Sequence, residues 1–374
     1  MTGNLGRLTK AKRIVIKIGS ALLVDQESGA IRRDWLAALA EDIAALHDQG
    51  KQVAVVSSGA IAAGRRHLGL TGRTLRLEEK QAAAATGQIR LAHAYEEALA
   101  RHNITVAQIL VTLDDTEERR RHLNARSTLN QLLALGAVPL INENDTVATQ
   151  EIRYGDNDRL AARVAAMISA DVLVLLSDID GMYEADPRKA PDAKYIPEIG
   201  EITPEIEAMA GAAPEGYSSG GMITKVAAAR IALGGGCHMA LAEGHSLNPV
   251  RRLMEGGRCT WFVASANPRT ARKRWIAGSL KPAGELIVDK GAENALAKGS
   301  SLLPAGVAKV KGRFDRGDLV TLRSLEGKEI GRGLAAYGDE DAKRIAGHKT
   351  GEIEEILGYR GRDEIVHRDD LALD

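Results

Sequence analysis

The sequence predicts an α/β fold, an open, mainly parallel sheet sandwiched by helices, followed by a small mostly-β domain. Three observations carry that expectation. From residue 12 to about 245, short β-branched or apolar runs alternate with longer Ala/Leu-rich segments of helical period. The short runs are almost continuously apolar instead of alternating, as strands buried on both faces are, and such strands belong to parallel sheets covered by helices. After about residue 260 the texture changes to short alternating runs separated by turns.

Taken in order, the expected strands are RIVIKIG (13–19), QVAVVSS (52–58), ITVAQIL (104–110), AVPLIN (137–142), VLVLLSD (172–178) and HMALAEG (238–244). Segments 32–49, 78–102, 117–135, 156–169 and 222–234 have helical period and lie between or before them. The stretch WFVASANPRTARKRWIAGSLKPAGE reads as a connector, rich in small and basic residues and containing Pro282. Beyond it, ELIVDKG, GRFDRGDLVTLRS, LEGKEIGRGL and DEIVHRDD suggest strands and turns, with a short helix near 339–346. The division expected is a large domain over 1–262, a linker over 263–283, and a β domain with its tail over 284–374.

A chain of 374 residues is long for one hydrophobic core, which agrees with two domains. Its 50 basic and 50 acidic side chains cancel, so nothing global attracts nucleic acid or an anionic membrane. The two cysteines, Cys237 and Cys259, have no spacing typical of a zinc site or disulfide framework and read as reduced cytosolic thiols. The N-terminal segment runs into IVIKIGS without a long apolar stretch, and apolar runs such as VLVLL are strand-sized. A soluble, cytoplasmic protein without a membrane segment is therefore expected.

Four motifs bear on chemistry. KIGS places Lys17 at the end of the first strand, where open parallel sheets bind ligands; a solvated lysine beside an ordinary turn is the plainer reading. In SSGAIAAGRRHLG, Ser57, Ser58 and Gly59 open a helix, and exposed amides there can hold an anion or simply form a cap. Neither GxxxxGK[ST] nor GxGxxG occurs, which argues against a P-loop NTPase and a dinucleotide dehydrogenase. In INENDTVATQEIRYGDNDRLAARVAA (141–166), Asn142, Asn144, Asp145, Asp156, Asn157 and Asp158 crowd two loops around an expected hairpin at 147–154. Amide donors suit a carboxylate and a fixed Asp suits an ammonium, so the set fits a zwitterionic amino acid. Turn and cap chemistry explains two or three of the six. Finally, LLSDIDGMYEADPR offers Ser177 and Asp178, and SSGGMITKVAAAR offers a glycine turn leading to Lys225. Two ammonium groups from distant parts of the chain are what phosphoryl transfer needs for charge stabilisation.

Other features point to structure. EERRRHLNAR, with Glu117 and Arg121 four apart, reads as an exposed helix face with charge pairs. The nine histidines show no metal-ligand spacing, so no metal site is expected.

KIGS, VVSSGAIAAG, INENDTVA, GDNDRLAA, LLSDIDGMYEADPR and GGMITK, in this order, resemble the amino acid kinase family and, within it, the bacterial kinases that act on glutamate. The likeness spans essentially the whole chain, and the tail from about Gly284 resembles a PUA domain. It implies that Lys17 and Lys225 hold the transferred phosphoryl group while Asp158 orients both. Ser58, Asp145 and Asn157, with Gly59 and Asn142 close by, would bind L-glutamate. Lys17, Ser177, Asp178 and the run Ser219, Gly220, Gly221, Met222, Ile223, Thr224 and Lys225 would contact ATP, with Mg²⁺ borne by the nucleotide. Ser177 and Ser219 stand where threonine is common in the family, with the hydroxyl kept. The resemblance further implies proline biosynthesis, feedback inhibition by proline, a homo-oligomer (dimer or tetramer) and a glutamyl phosphate reductase as candidate partner.

The rivals are a kinase for aspartate, acetylglutamate, carbamate or a nucleotide, and an RNA-binding protein, since PUA domains commonly bind RNA. The Asn/Asp cluster favours a free amino acid. From Pro282 onward 15 Lys+Arg face 18 Asp+Glu, with Phe314, Tyr337 and Tyr359 as the aromatics, and that composition argues against RNA.

Overall fold

The computed structural model describes residues 2–25, 27–147, 157–211, 221–278 and 281–373. Among the described residues, ten strands belong to the first part of the chain: β1 (Arg13–Ile18), β2 (Gln52–Ser57), β3 (Val106–Val111), β4 (Val138–Glu143), β5 (Val172–Ser177), β6 (Met182–Tyr183), β7 (Tyr195–Ile196), β8 (Glu198–Ile199), β9 (His238–Glu243) and β10 (Cys259–Phe262). Eight of them form one sheet in the order β3-β4-β2-β1-β5-β9-β10-β8, and β6 pairs with β7 as a separate hairpin. The six strands expected from the sequence are all present and mutually parallel. β10 adds antiparallel to β9, with β8 parallel to β10.

The continuous apolar runs are explained by a core on each face. Ile14, Ile16 and Ile18 of β1 pack into one cluster with the helix Arg33–Asp48. Val15 points the other way, into a cluster with Leu160, Ala161, Val226 and Ala229 from the helices Asn157–Met167 and Met222–Gly234. Strand periodicity then puts Lys17 on the Val15 face, at the end of the strand and beneath those two helices. The parity of one strand thus decides which helices Lys17 meets.

Other elements follow their patterns closely. The helices Leu77–Ala100 and Arg119–Ala134 occupy the expected intervals. The Glu117–Arg121 pair expected on one helix face does not form: Glu117 ends a short separate helix and bonds Arg163 at 2.7 Å, while Arg121 bonds Glu118 at 2.6 Å.

By compactness the chain divides into two units, residues 1–117 with 124–268, and 118–123 with 269–374. Within the interval read as a connector lies the helix Pro268–Gly278, whose Ile276 is fully buried. The second unit holds a five-stranded sheet of β11 (Gly284–Val288), β12 (Val307–Gly312), β13 (Leu319–Arg323), β14 (Glu329–Leu334) and β15 (Leu371–Leu373), ordered β12-β11-β13-β14-β15. Its core gathers Leu286, Val288, Val320, Leu322 and Ile365, and the helix expected near 339–346 is Asp339–Ile345. No helix among the described residues is long and apolar enough to cross a membrane.

Candidate active site

At the carboxyl ends of β1, β2, β4 and β5 the first unit opens a cavity of about 1080 Å³, lined by Lys17, Ser58, Asp145, Asp158, Asp178 and Lys225 among others. Parallel strands end together on one side of a sheet, so residues distant in sequence meet there. Asp158 is the centre of the cavity's charge. It lies in the first turn of the helix Asn157–Met167, where a carboxylate is favoured by the helix dipole, and is almost wholly buried. Lys17 forms an ion pair with its Oδ1, and Lys225 approaches its Oδ2 at 3.3 Å. Thr224 Oγ1 lies 3.0 Å from the same Oδ2 and 2.9 Å from the carbonyl of Gly221, the residue that caps the helix Met222–Gly234. Burial alone pushes the Asp158 carboxyl up, but the two ammonium groups and the hydrogen bonds from Lys17 and Thr224 outweigh it and hold the carboxyl below its usual range. Both lysines are themselves buried, so the charges interact with little screening by water.

The second half of the cavity is built from amides and hydroxyls. Asn157 Nδ2 donates to Ser58 Oγ at 2.8 Å and to Asn142 Oδ1 at 3.0 Å. Gly59 turns the chain from β2 into the helix Ala60–His67 with φ of 104°, in the left-handed region. A Cβ there would come within 3.2 Å of Val24, so only glycine meets both demands. Asp145 faces no cation among the described residues, and burial raises its carboxyl to about 6.

The six Asn and Asp residues of segment 141–158 therefore divide. Asn142, Asp145, Asn157 and Asp158 line the cavity, whereas Asn144 accepts a local turn bond from Thr146 at 2.5 Å, as turn chemistry alone explains. Asp156 and most of the expected hairpin lie outside the described residues. Of the expected nucleotide contacts, Ser177 and Asp178 line the cavity, with Ser177 Oγ donating to Asp178 Oδ1 at 3.0 Å. Gly221, Met222 and Ile223 lead into Lys225 as a cap and first turn, while Ser219 and Gly220 lie outside the described residues.

The amino acid kinase family matches residues 12–242, and the PUA domain matches residues 284–357. The chain is 64% identical to the glutamate 5-kinase of Paramagnetospirillum magneticum, over 98% of this chain and 99% of that protein. It is 62% identical to the glutamate 5-kinase of Agrobacterium fabrum, over 98% of this chain and 94% of that protein. The chain belongs to the amino acid kinase family. A solved UMP kinase from Bacillus anthracis superposes at a TM-score of 0.47 with 15% identity, over 68% of this chain and 97% of its own.

In this amino acid kinase two polar residues of the site escape a reading of motifs. Gln88, from the helix Leu77–Ala100, accepts from Asn142 Nδ2 at 2.7 Å, and Tyr95, fully buried on the same helix, donates to Ser57 Oγ at 3.1 Å. A weak signal exists for Gln88. It falls in register with buried Ala84 and Leu91, a polar residue on an apolar stripe.

Proposed function

We propose that this amino acid kinase transfers the γ-phosphoryl group of ATP to the γ-carboxylate of L-glutamate, giving γ-glutamyl phosphate and ADP. One observation carries the chemical part: a single buried carboxylate, Asp158, holds two ammonium groups brought from opposite ends of the kinase unit to one cavity. The relatives' name supplies the substrate.

In this reading Lys17 and Lys225 face the oxygens of the transferred group and offset the negative charge that develops in transfer. Asp158 is the positioning residue for both. Ser58 and Asn157, with Gly59 and Asn142 beside them, meet the α-carboxylate and ammonium of glutamate, and Asp145 meets the ammonium. Ser177, Asp178, Lys17 and the residues from Ser219 to Lys225 meet ATP. The acceptor carboxylate has a usual pKa near 4.3 and is ionised at neutral pH, so no general base is needed. Catalysis then rests on placing the two substrates in line and on neutralising charge. Mg²⁺ enters as part of the nucleotide substrate, held mainly by phosphate oxygens and water; Asp158, with both oxygens already on lysines, is not offered as a ligand.

Proline shares the α-carboxylate and ammonium of glutamate, so it would inhibit by entering the same pocket, as suits the end product of the pathway this reaction begins. Residues 1–262 would carry the chemistry. The PUA domain, reached through 263–283, would regulate it or serve assembly of a homo-oligomer, and a glutamyl phosphate reductase would consume the product. Trapping the acyl phosphate with hydroxylamine across a panel of amino acids tests the substrate. ATP-dependent hydroxamate with L-glutamate, and far less with aspartate, acetylglutamate or glutarate, is the expected result. Equal yields from aspartate would overturn it.

A further inference from the structure

We infer that Gln88 is a positioning residue for the glutamate pocket: it holds Asn142, and through it Asn157, in the amide orientation that two backbone groups select. Amide side chains can present oxygen or nitrogen in nearly the same place, so their direction must be set by groups whose polarity cannot change. Two backbone groups do this. The N–H of Glu143, a donor only, lies 2.9 Å from Asn142 Oδ1 and makes that atom the acceptor. The carbonyl of Ser57, an acceptor only, lies 3.4 Å from Asn157 Nδ2 and makes that atom the donor.

Between these anchors every bond has one sense. Asn157 Nδ2 spends its two hydrogens on the acceptors around it, Asn142 Oδ1 at 3.0 Å and Ser58 Oγ at 2.8 Å with the Ser57 carbonyl behind them. Asn142 Nδ2 is left to donate, and Gln88 Oε1 takes that hydrogen at 2.7 Å. Gln88 and Asn142 are both buried, so without this acceptor the Asn142 amino group would lose its partner away from water, and turning the amide over would set its nitrogen against the Glu143 N–H.

The consequence reaches the cavity two residues away. Because Ser58 Oγ accepts from Asn157, its own hydroxyl hydrogen is released to donate to a carboxylate. Because Asn157 Nδ2 is consumed, its Oδ1 remains as an acceptor suited to an ammonium. Gln88 does not line the cavity, yet by holding Asn142 in place it steadies the chain of bonds that offers a donor and an acceptor to the two ends of a zwitterion.

This inference rests on the glutamate reading above. It is tested in the full chain with Gln88→Met, which keeps the size and removes the acceptor, Gln88→Ala, and Gln88→Glu, which keeps an oxygen facing Asn142. KM for glutamate, KM for ATP and kcat are measured beside glutamate binding by calorimetry. For Gln88→Met and Gln88→Ala the expected result is a rise of about tenfold in glutamate KM and in its dissociation constant, the size of one lost buried hydrogen bond, with ATP KM unchanged. Gln88→Glu should restore glutamate KM to within about threefold of wild type. If either apolar variant keeps wild-type glutamate KM, if both KM values rise together, or if Gln88→Glu is as impaired as Gln88→Met, the positioning role is wrong. Should the apolar variants fail to fold, Gln88→Asn, whose shorter side chain withdraws the oxygen from Asn142, takes their place: a raised glutamate KM supports the role and a wild-type value overturns it. A wild-type protein that neither binds nor phosphorylates glutamate would overturn the parent reading; an active wild type with indifferent variants overturns this inference only.

Discussion

Lys225 Nζ stands 3.3 Å from Asp158 Oδ2, the carboxylate oxygen that Lys17 leaves open. Each lysine is therefore held by its own oxygen, and both cationic heads are kept at the cavity that the proposed substrates would enter. Removing the carboxylate leaves two buried like charges, which burial and repulsion both penalise.

That arrangement makes stability depend on pH with a definite sign. The folded Asp158 carboxyl binds its proton less tightly than the unfolded one, so its contribution is present above the unfolded value near 3.9 and is lost as pH falls through the lower folded value. The difference in urea midpoint between wild type and Asp158→Asn should be constant near neutrality and shrink as pH drops below about 5. A difference that grows on acidification would contradict the assignment of the charge. In the same variant kcat should fall far more than either KM changes, because Asp158 touches the lysines and not the substrates.

Asp145, with its carboxyl raised to about 6, should leave a mark on the pH profile. Only the ionised form attracts an ammonium, so glutamate KM should rise as pH falls through about 6. In Asp145→Asn that limb should vanish and glutamate KM should be high at every pH, with ATP KM little changed. Comparison of the two proteins removes the titration of ATP itself from the result. An identical pH profile in both would place Asp145 outside the pocket.

The helices that carry Gly59 and Gln88 touch backbone to backbone at Gly64 and Gly87. A Cβ on Gly64 would lie 1.9 Å from the Ala83 carbonyl oxygen, and one on Gly87 would lie 1.7 Å from that of Ala60. No rotamer relieves such contacts, so Gly64→Ala should destabilise the fold by about 1–3 kcal/mol or more. Thermal melts read the loss, and glutamate KM should worsen with it, since both helices contribute residues to the lining of the cavity.

Every proposed catalytic side chain precedes residue 226, within the first unit. A chain ending at Pro268 should thus retain hydroxamate formation. It would also uncover Leu123, which packs with Ile276, Leu319, Leu334 and Ala372 in the second unit, so the assay must be made on protein of confirmed solubility and fold. A soluble, folded truncation without turnover would show that the PUA domain takes part in the chemistry.

How far the sequence alone led can be read from individual elements. The six parallel strands were legible because both faces are buried and their runs are continuously apolar, as in Val172–Ser177. Cys259–Phe262 was obscured because it is short and merges with polar, small-residue chain that resembles a connector, and Val307–Gly312 because its lysines lie exposed on an edge strand. At the site, Lys17, Asp158 and Lys225 were each visible as motifs, but their meeting on one carboxylate depends on strand parity and helix placement. Gln88 was invisible as chemistry, for its partner Asn142 comes from another element and no motif spans the two.

The central claim, that the lysines gathered on Asp158 transfer the phosphoryl group, is tested most directly by single-turnover hydroxamate formation from ATP and L-glutamate in Lys17→Ala and Lys225→Ala. Circular dichroism and thermal melts establish that each variant is folded. Loss of a preorganised charge at the reacting group should slow the chemical step by about 10²–10³-fold or more in each, with glutamate binding largely retained. A folded variant that forms hydroxamate at close to the wild-type rate would contradict the account.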